Sequence, residues 1–123
     1  MPNVQKIADS ELEILKVLWK DSPRTSNEIY DALKQNKPWS KSTVLTLISR
    51  LAEKGAVSSF KRGVHFYSPA LSEREYIKLQ ANSFLERIFE GSIKDLVAYY
   101  CENNDLTQED LKELKKMIES REE

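Results

Sequence analysis

The apolar positions at the start of the chain follow two helical stripes that are separated by a polar break. Ser10 and Glu13 have the spacing of a capping box, which predicts that a helix starts there. Residues 21–23, Asp-Ser-Pro, interrupt the pattern, and Thr25 and Glu28 repeat the capping-box spacing before a shorter second stripe. We therefore expect two helices whose core-facing residues are Leu12, Ile14, Leu15, Leu18, Trp19, Ile29, Ala32 and Leu33.

The segment WSKSTVLTLISRLAEKG, residues 39–55, predicts a third amphipathic helix. Ser40 is its expected N-cap, and Gly55 is expected to stop it. Its apolar residues have the spacing of a buried stripe: Val44, Leu47, Ile48, Leu51 and Ala52. The helical period places mostly small hydroxyl residues on the opposite face and its flanks: Ser42, Thr43, Leu45, Thr46, Ser49, Arg50 and Glu53.

After Gly55 the apolar period changes from helical to alternating. Residues 57–61 and 64–68 are rich in β-branched and aromatic residues, and Arg62-Gly63 between them predicts a hairpin turn. Pro69 is expected to close the second strand. Three helices followed by a hairpin with a basic tip are typical of a winged helix-turn-helix, so the predicted fold class is mainly α, an α+β winged helix in residues 1–70.

The remaining residues, 71–123, predict a second domain that is entirely helical. Ser72 with Glu75 and Thr107 with Asp110 are two further capping boxes, and Gly91 separates the first two apolar stripes. Three stripes on so short a segment exceed what its own core can bury, so a second copy of the chain is their expected cover. The predicted dimerisation residues are Phe84, Leu85, Ile88, Leu96, Val97, Leu111, Leu114 and Ile118, and some of these are expected to be internal to one protomer.

Charge divides the chain at the same place. Residues 1–70 hold eleven Lys and Arg against seven Asp and Glu, a net charge of +4. Residues 71–123 hold eight against thirteen, a net charge of −5. This asymmetry favours a first half that faces a polyanion and a second half with another task, although uneven surface charge is the simpler alternative.

Composition excludes several other classes of protein. No apolar run approaches the roughly 20 residues that cross a bilayer, and Asn3, Gln5, Lys6 and Asp9 do not fit a secretory signal. We therefore expect a cytoplasmic protein without membrane insertion. One cysteine and one histidine, Cys101 and His65, cannot form a disulfide framework or a four-ligand zinc site, so we expect no metal and no cofactor.

The exposed face of the third helix suits the major groove of double-stranded DNA. Short hydroxyl side chains donate to or accept from base edges, and threonine methyls and Leu45 can contact a thymine methyl. Cations and helix N-termini around this face are suited to phosphates. The candidate DNA-binding residues are Thr25, Ser40, Lys41, Ser42, Thr43, Thr46, Arg50, Lys61 and Arg62.

Each candidate has a structural alternative. Thr25 and Ser40 can serve only as caps, Arg50 can pair with Glu53 or Glu28, and Lys61 with Arg62 can form a solvated turn. A winged-helix adaptor that binds protein instead of DNA is the alternative function. An enzyme is not expected, because the sequence has no nucleophile–base set or phosphate loop and because Cys101 is expected to be buried on an apolar helix face.

Three segments resemble the BlaI/MecI penicillinase repressors: SELEILKVLW, WSKSTVLTLISRLAEKG and a hairpin that ends in FYSP. The later GSIKDLVAYYCENNDLTQEDLKEL is similar to the dimerisation segment of that family, so the resemblance covers essentially the whole chain. It implies a homodimeric repressor that binds a dyad operator with TACA/TGTA half-sites. Members block transcription of β-lactam resistance genes and, in some branches, of copper-handling or other genes.

The chain departs from the family pattern in three places. Ser42 and Leu45 replace longer polar residues of the recognition helix, so half-site preference is expected to be altered or relaxed. Members of the family are inactivated through a membrane sensor metalloprotease pathway by cleavage at an Asn-Phe bond. The aligned pair here is Tyr99-Tyr100. This pair departs from the cleaved sequence but still allows a proteolytic switch, because Tyr100 can mimic the phenylalanine. The cysteine-rich tail of the copper-responsive branch is replaced by residues 121–123, so copper sensing is not expected.

Overall fold

The computed structural model describes residues 7–121 of the chain. The residues on which the expectation about a secretory signal rests, apart from Asp9, lie outside this range, as do the last two residues of the tail. The described elements, in chain order, are α1 (Asp9–Lys20), α2 (Ser26–Leu33), α3 (Lys41–Glu53), β1 (Val57–Arg62), β2 (Val64–Pro69), α4 (Glu73–Phe89), α5 (Ile93–Glu102) and α6 (Gln108–Arg121). The chain forms two compact units, one up to Gln80 and one from Ala81 onwards.

The first unit has a core built by α1, α2, α3 and the hairpin. Its buried residues are Ile14, Leu15, Leu18, Ile29, Leu33, Val44, Leu47, Ile48, Leu51, Ala56, Val57 and Leu71. The predicted stripes of α1, α2 and α3 are confirmed except at Ala32 and Ala52, which are exposed, and at Leu12, which is half-buried outside the core cluster. Ala32 precedes the buried Leu33, and Ala52 follows the buried Leu51. Neighbouring residues of a helix are rotated by about 100° around its axis, which turns these alanines away from the core.

The predicted start of α1 at Ser10 and Glu13 is wrong. The N-cap is Ala8, whose backbone N–H donates to the Glu11 carboxylate at 2.9 Å. Ser10 lies within the first turn, and Glu13 pairs with Lys16. The cap lies earlier in the chain because Glu11, and not Glu13, occupies the third helical position, where the ion pair with Lys54, the C-cap residue of α3, holds it.

The predicted ends of α3 are confirmed. The Ser40 hydroxyl accepts a hydrogen bond from the Thr43 amide at 3.1 Å. At the other end Gly55 has φ of 74°, and the amides of Gly55 and Ala56 donate to the carbonyls of Ala52 and Leu51. These two bonds form a Schellman motif, in which the left-handed conformation that glycine adopts without strain stops the helix.

The hairpin is confirmed, with its turn centred one residue later than the predicted pair. Arg62 belongs to β1 and pairs with Val64, which leaves Gly63 at the tip with φ of 76°. A further antiparallel bridge joins Arg24 to Tyr67 through two backbone hydrogen bonds of 3.0 and 2.8 Å. The bridge ties the hairpin to the segment between α1 and α2, as in a winged helix.

The first turns of α4 belong to the first unit, so this unit extends ten residues beyond the boundary expected at residue 70. Leu71 is buried, and its carbonyl accepts a hydrogen bond from the Trp19 indole at 3.0 Å. The Trp19 and Tyr76 rings lie 5.5 Å apart. The predicted capping box of Ser72 and Glu75 is confirmed: the Ser72 amide donates to the Glu75 carboxylate, and the Glu75 amide donates to the Ser72 hydroxyl. The hydrogen bond from the Ser72 amide is the main cause that lowers the pKa of Glu75.

The second unit consists of the rest of α4 with α5 and α6. Ser92 caps α5, and the predicted capping box of Thr107 and Asp110 caps α6. None of its described residues is buried, although the Phe89 ring lies 6.0 Å from the Phe84 ring and 6.2 Å from the Tyr99 ring. The expectation that Cys101 is buried is wrong, because this thin helical unit leaves its thiol exposed.

Candidate nucleic-acid interface

The surface of α3 that faces away from the core has the composition expected from the sequence. Val44, Leu47, Ile48 and Leu51 anchor the helix from below, and none is more than 4% exposed. The remaining face is exposed and consists of Ser42, Thr43, Leu45, Thr46, Ser49, Arg50 and, in the last turn of the helix, Glu53. Leu45, an apolar side chain, is 47% exposed on this face. Because the buried stripe fixes the rotation of the helix, this set of side chains is presented together.

Hydrogen bonds within the helix determine which hydroxyls are available to a ligand. The Ser40 hydroxyl donates to Thr43 Oγ1 at 3.1 Å, and the Thr46 hydroxyl donates to the Ser42 carbonyl at 3.1 Å. The Thr46 side chain therefore offers a methyl group and an acceptor. The Ser42 hydroxyl has no hydrogen-bond partner among the described residues, which leaves it as a donor or acceptor for a base edge.

The N-terminus of α2 does not offer a free Thr25 amide to an anion, whereas the N-terminus of α3 keeps free amides in its first turn. The Thr25 amide donates to the Glu28 carboxylate at 2.8 Å, and the Glu28 amide donates to the Thr25 hydroxyl at 3.2 Å. This reciprocal box occupies Thr25, so an anion can approach α2 only at later amides. In α3 the first-turn amides of Lys41 and Ser42 have no partner within the helix, since helix geometry provides none.

The basic candidates lie on two elements. Lys41 and Arg50 are exposed on α3, and Lys61 and Arg62 are exposed at the end of β1. The alternative that Arg50 pairs with Glu53 or Glu28 is wrong, because within residues 7–121 no ion pair joins Arg50 to either carboxylate. These four cations are therefore available to an external anion.

A buried ion pair that the sequence analysis missed supports α3 from below. Glu11 is 2% exposed, and its carboxylate pairs with Lys54 at the C-cap of α3. Burial by itself raises the pKa of Glu11, but hydrogen bonds from Lys54 and the Ala8 amide, together with the charges of Lys54 and Arg50, lower it below its usual 4.5. A single acid in the otherwise apolar stripe of α1 was the signal that could have identified this pair.

Two of the aromatic residues near the candidate interface are part of the core packing. Trp39 and Tyr67 are half-buried and pack against the core, as expected from the sequence. His65 is exposed on β2, where its ring lies 6.4 Å from that of Tyr67. Tyr30 was not among the candidates, yet its ring lies 5.6 Å from the Lys41 ammonium.

The predicted dimerisation residues all lie in the second unit. Leu85, Leu96 and Leu114 are half-buried within one protomer. The others are exposed: Phe84, Ile88, Val97, Leu111 and Ile118. Tyr99 and Tyr100 lie in α5 and are 52% and 42% exposed. Among the residues that the structure describes, no helix has the length and apolar character needed to cross a membrane.

The sequence model of the penicillinase repressors matches residues 7–120. The chain belongs to the penicillinase repressor family. It is 37% identical to the penicillinase repressor of Bacillus licheniformis over 97% of this chain and 94% of that protein. It is 29% identical to the methicillin resistance regulatory protein MecI of Staphylococcus aureus strain N315 over 92% of this chain and 93% of that protein.

Solved structures of a penicillinase repressor resemble the first unit. The solution structure of the DNA-binding domain of the repressor BlaI has a TM-score of 0.55 and 39% identity, and the match covers 62% of this chain and 94% of that one. Monomeric Bacillus licheniformis BlaI in complex with the blaP half-operator has a TM-score of 0.53 and the same identity and coverage. The winged-helix fold expected from the sequence is therefore confirmed.

Proposed function

We propose that this protein is a homodimeric bacterial transcriptional repressor that binds a dyad operator through the exposed face of α3. The observation that carries this proposal is the combination of an exposed hydroxyl face, anchored from below by a buried apolar stripe, with four cations on α3 and β1. A duplex groove fits this arrangement because hydroxyls and a methyl-bearing surface contact base edges while the cations contact phosphates. Its relative BlaI has been solved in complex with a half-operator, which supports the same use of the fold.

The target genes that we propose are inferred from the names of the relatives. A penicillinase repressor and a methicillin resistance regulator lie at 37% and 29% identity. We propose control of β-lactam resistance genes or related stress genes through TACA/TGTA-type half-sites in double-stranded operator DNA. Ser42 and Leu45 make readout less dependent on long polar side chains, so discrimination between closely related half-sites is expected to be relaxed.

The second unit supplies the proposed dimer contact. Several of its large apolar side chains are exposed in one protomer, including Ile88 at 56% and Ile118 at 59%. A second copy would remove these surfaces from water, which is the main favourable term in protein association. The net negative charge of residues 71–123 also keeps this unit away from phosphates.

Binding to DNA is tested with a duplex that contains a TACA/TGTA dyad and a scrambled duplex of the same composition. We expect dyad binding to weaken steeply with salt, since neutralised phosphates release counterions. Charge reversal at Arg50 and Lys61 should abolish retention of the dyad duplex. Unchanged retention by this double variant would instead favour the adaptor that binds protein.

We further propose Tyr99-Tyr100 as the position at which a membrane sensor metalloprotease pathway inactivates the repressor. Support comes from the exposure of both side chains and from the position of the bond in the second unit, where cleavage would remove α6 from the dimer contact. Since helical residues must open locally before a protease can bind them, cleavage is expected to be slow in the DNA-bound dimer. Mass spectrometry of the protein after induction of its host would identify the bond, and an intact chain after induction would contradict the assignment.

A further inference from the structure

Three lysines at the junction of α2 and α3 lie over aromatic rings. The ammonium groups of Lys34 and Lys41 lie 5.9 and 5.6 Å from the centre of the same Tyr30 ring. The ammonium group of Lys37 lies 5.7 Å from the centre of the Trp39 ring. Both rings are half-buried and pack against the core. We refer to these five residues as the lysine–aromatic cluster.

The rings hold flexible cations in place. A lysine ammonium is attracted to the electron-rich face of an aromatic ring, and a ring that is packed on a core cannot move away. Lys34 and Lys41 share one ring, so two positive charges lie within 5.9 Å of the centre of Tyr30. A side chain that is already ordered loses less conformational entropy when it contacts a ligand.

Along the chain, the cluster is followed by a long segment without acidic residues. The sequence has no Asp or Glu between Ala32 and Ala52. Asp31 is the acid that contacts the cluster, with its carboxylate 3.2 Å from the Lys34 ammonium, and it is exposed. Three cations against one anion therefore stand where α3 begins, next to the first-turn amides of Lys41 and Ser42. Each of these features attracts an anion.

We propose that Lys34 and Lys37 contact operator phosphates together with Lys41, and that Tyr30 and Trp39 are positioning residues for them. This inference rests on the proposed function and extends it to residues outside the predicted interface. The cluster contacts the DNA backbone where the N-terminus of α3 enters the groove, while Lys61 and Arg62 contact it at the wing. Because phosphates are the same in every sequence, the cluster strengthens binding without selecting an operator.

The test is a titration of the full chain at several potassium chloride concentrations, by fluorescence anisotropy, with the dyad duplex, a single half-site duplex and the scrambled duplex. Each lost phosphate contact lowers the slope of log affinity against log salt by about 0.9. In the double variant Lys34→Gln with Lys37→Gln each protomer loses two contacts. We therefore expect the slope to fall by about 3.6 on the dyad duplex, which binds two protomers, and by about 1.8 on the half-site duplex. The ratio of dyad to scrambled affinity should stay at its wild-type value.

Two further variants strengthen the design. Lys115→Gln with Lys116→Gln on α6 makes the same change in net charge in the second unit and should leave the slope unchanged. Asp31→Asn removes the carboxylate that pairs with Lys34 and should tighten binding to the dyad and the scrambled duplex roughly two- to fivefold.

The role of the Tyr30 ring is tested by comparison of Tyr30→Phe with Tyr30→Leu. Phenylalanine keeps the ring face and should keep the wild-type slope, whereas leucine removes it and should lower the slope. Equal slopes for the phenylalanine and leucine variants would overturn the positioning role. Thermal melting of each variant verifies that the first unit stays folded during the titration.

The outcomes separate this inference from the proposed function. A wild-type slope in the Lys34/Lys37 double variant, alongside a reduced slope in Arg50→Gln, would overturn the inference and leave the repressor proposal intact. A loss of affinity confined to the dyad duplex would also overturn it, because the cluster would then select sequence. Equal binding of the wild-type protein to dyad and scrambled duplexes would contradict the proposed function itself.

Discussion

The buried ion pair between Glu11 and Lys54 leads to a prediction in which stability and pH are linked. Glu11→Gln keeps an oxygen that can accept from the Ala8 amide but removes the charge that pairs with Lys54. Glu11 is 2% exposed, whereas the Lys54 side chain is 26% exposed and can turn towards water when its partner is neutral. The cost should therefore match one lost charge-assisted hydrogen bond, about 1.5–3 kcal/mol, and fall short of the roughly 3–5 kcal/mol for a fully buried pair that loses one member.

The pH dependence of this difference has a definite sign. The folded state lowers the pKa of Glu11 below its usual 4.5, so the ionised carboxylate stabilises the fold above that pH. This contribution is lost as the pH falls through the folded-state pKa, and the Glu11→Gln variant cannot lose it. The stability difference between wild type and variant should hence be full at pH 7 and shrink below pH 4.5.

Urea unfolding followed by tryptophan fluorescence measures this difference, since Trp19 and Trp39 are both in the first unit. Glu13→Gln is the matched control, because Glu13 is on the same helix and pairs with Lys16 at 3.4 Å near the surface. The reasoning would be refuted if Glu11→Gln lowered the free energy of unfolding by less than about 0.5 kcal/mol at pH 7. It would also be refuted if the loss were the same at pH 7 and below pH 4.5.

Two other predictions follow from the caps and the second unit. Ser40→Ala removes the hydroxyl that accepts from the Thr43 amide, so it should lower the free energy of unfolding by about 0.5–2 kcal/mol, and Ser40→Thr should retain most of it, as measured by urea unfolding. Equal losses in both variants would contradict the capping role. Ile88→Asp with Ile118→Asp places charges on side chains that are exposed in one protomer, so sedimentation should detect folded monomers. These monomers should bind the dyad duplex more weakly in a titration, because the second half-site is no longer held close. Lys115→Asp is the control, and a dimeric Ile88/Ile118 variant would mean that these residues lie outside the contact.

Much of the candidate site could be predicted because its signals are local. The Ser40 cap, the apolar stripe of α3 and the stop at Gly55 all depend on residues within a few turns of one another. The hairpin follows from two short β-prone segments and one glycine. These features also fix the exposed hydroxyl face, since a buried stripe determines which side chains of a helix face outward.

Other features were decided only by tertiary structure. Ser10 and Glu13 have the spacing of a capping box, but Glu11 takes that role because it pairs with Lys54, 43 residues away. The bridge of Arg24 to Tyr67 and the placement of Lys41 over the Tyr30 ring likewise depend on which elements pack together. The contacts of Lys34 with Tyr30 and of Lys37 with Trp39, in contrast, join residues within four positions of each other. Local spacing therefore determined the elements of this protein. Contacts between distant residues, whose energies no sequence window contains, decided the α1 cap, the support beneath α3 and the position of Lys41 beside Tyr30.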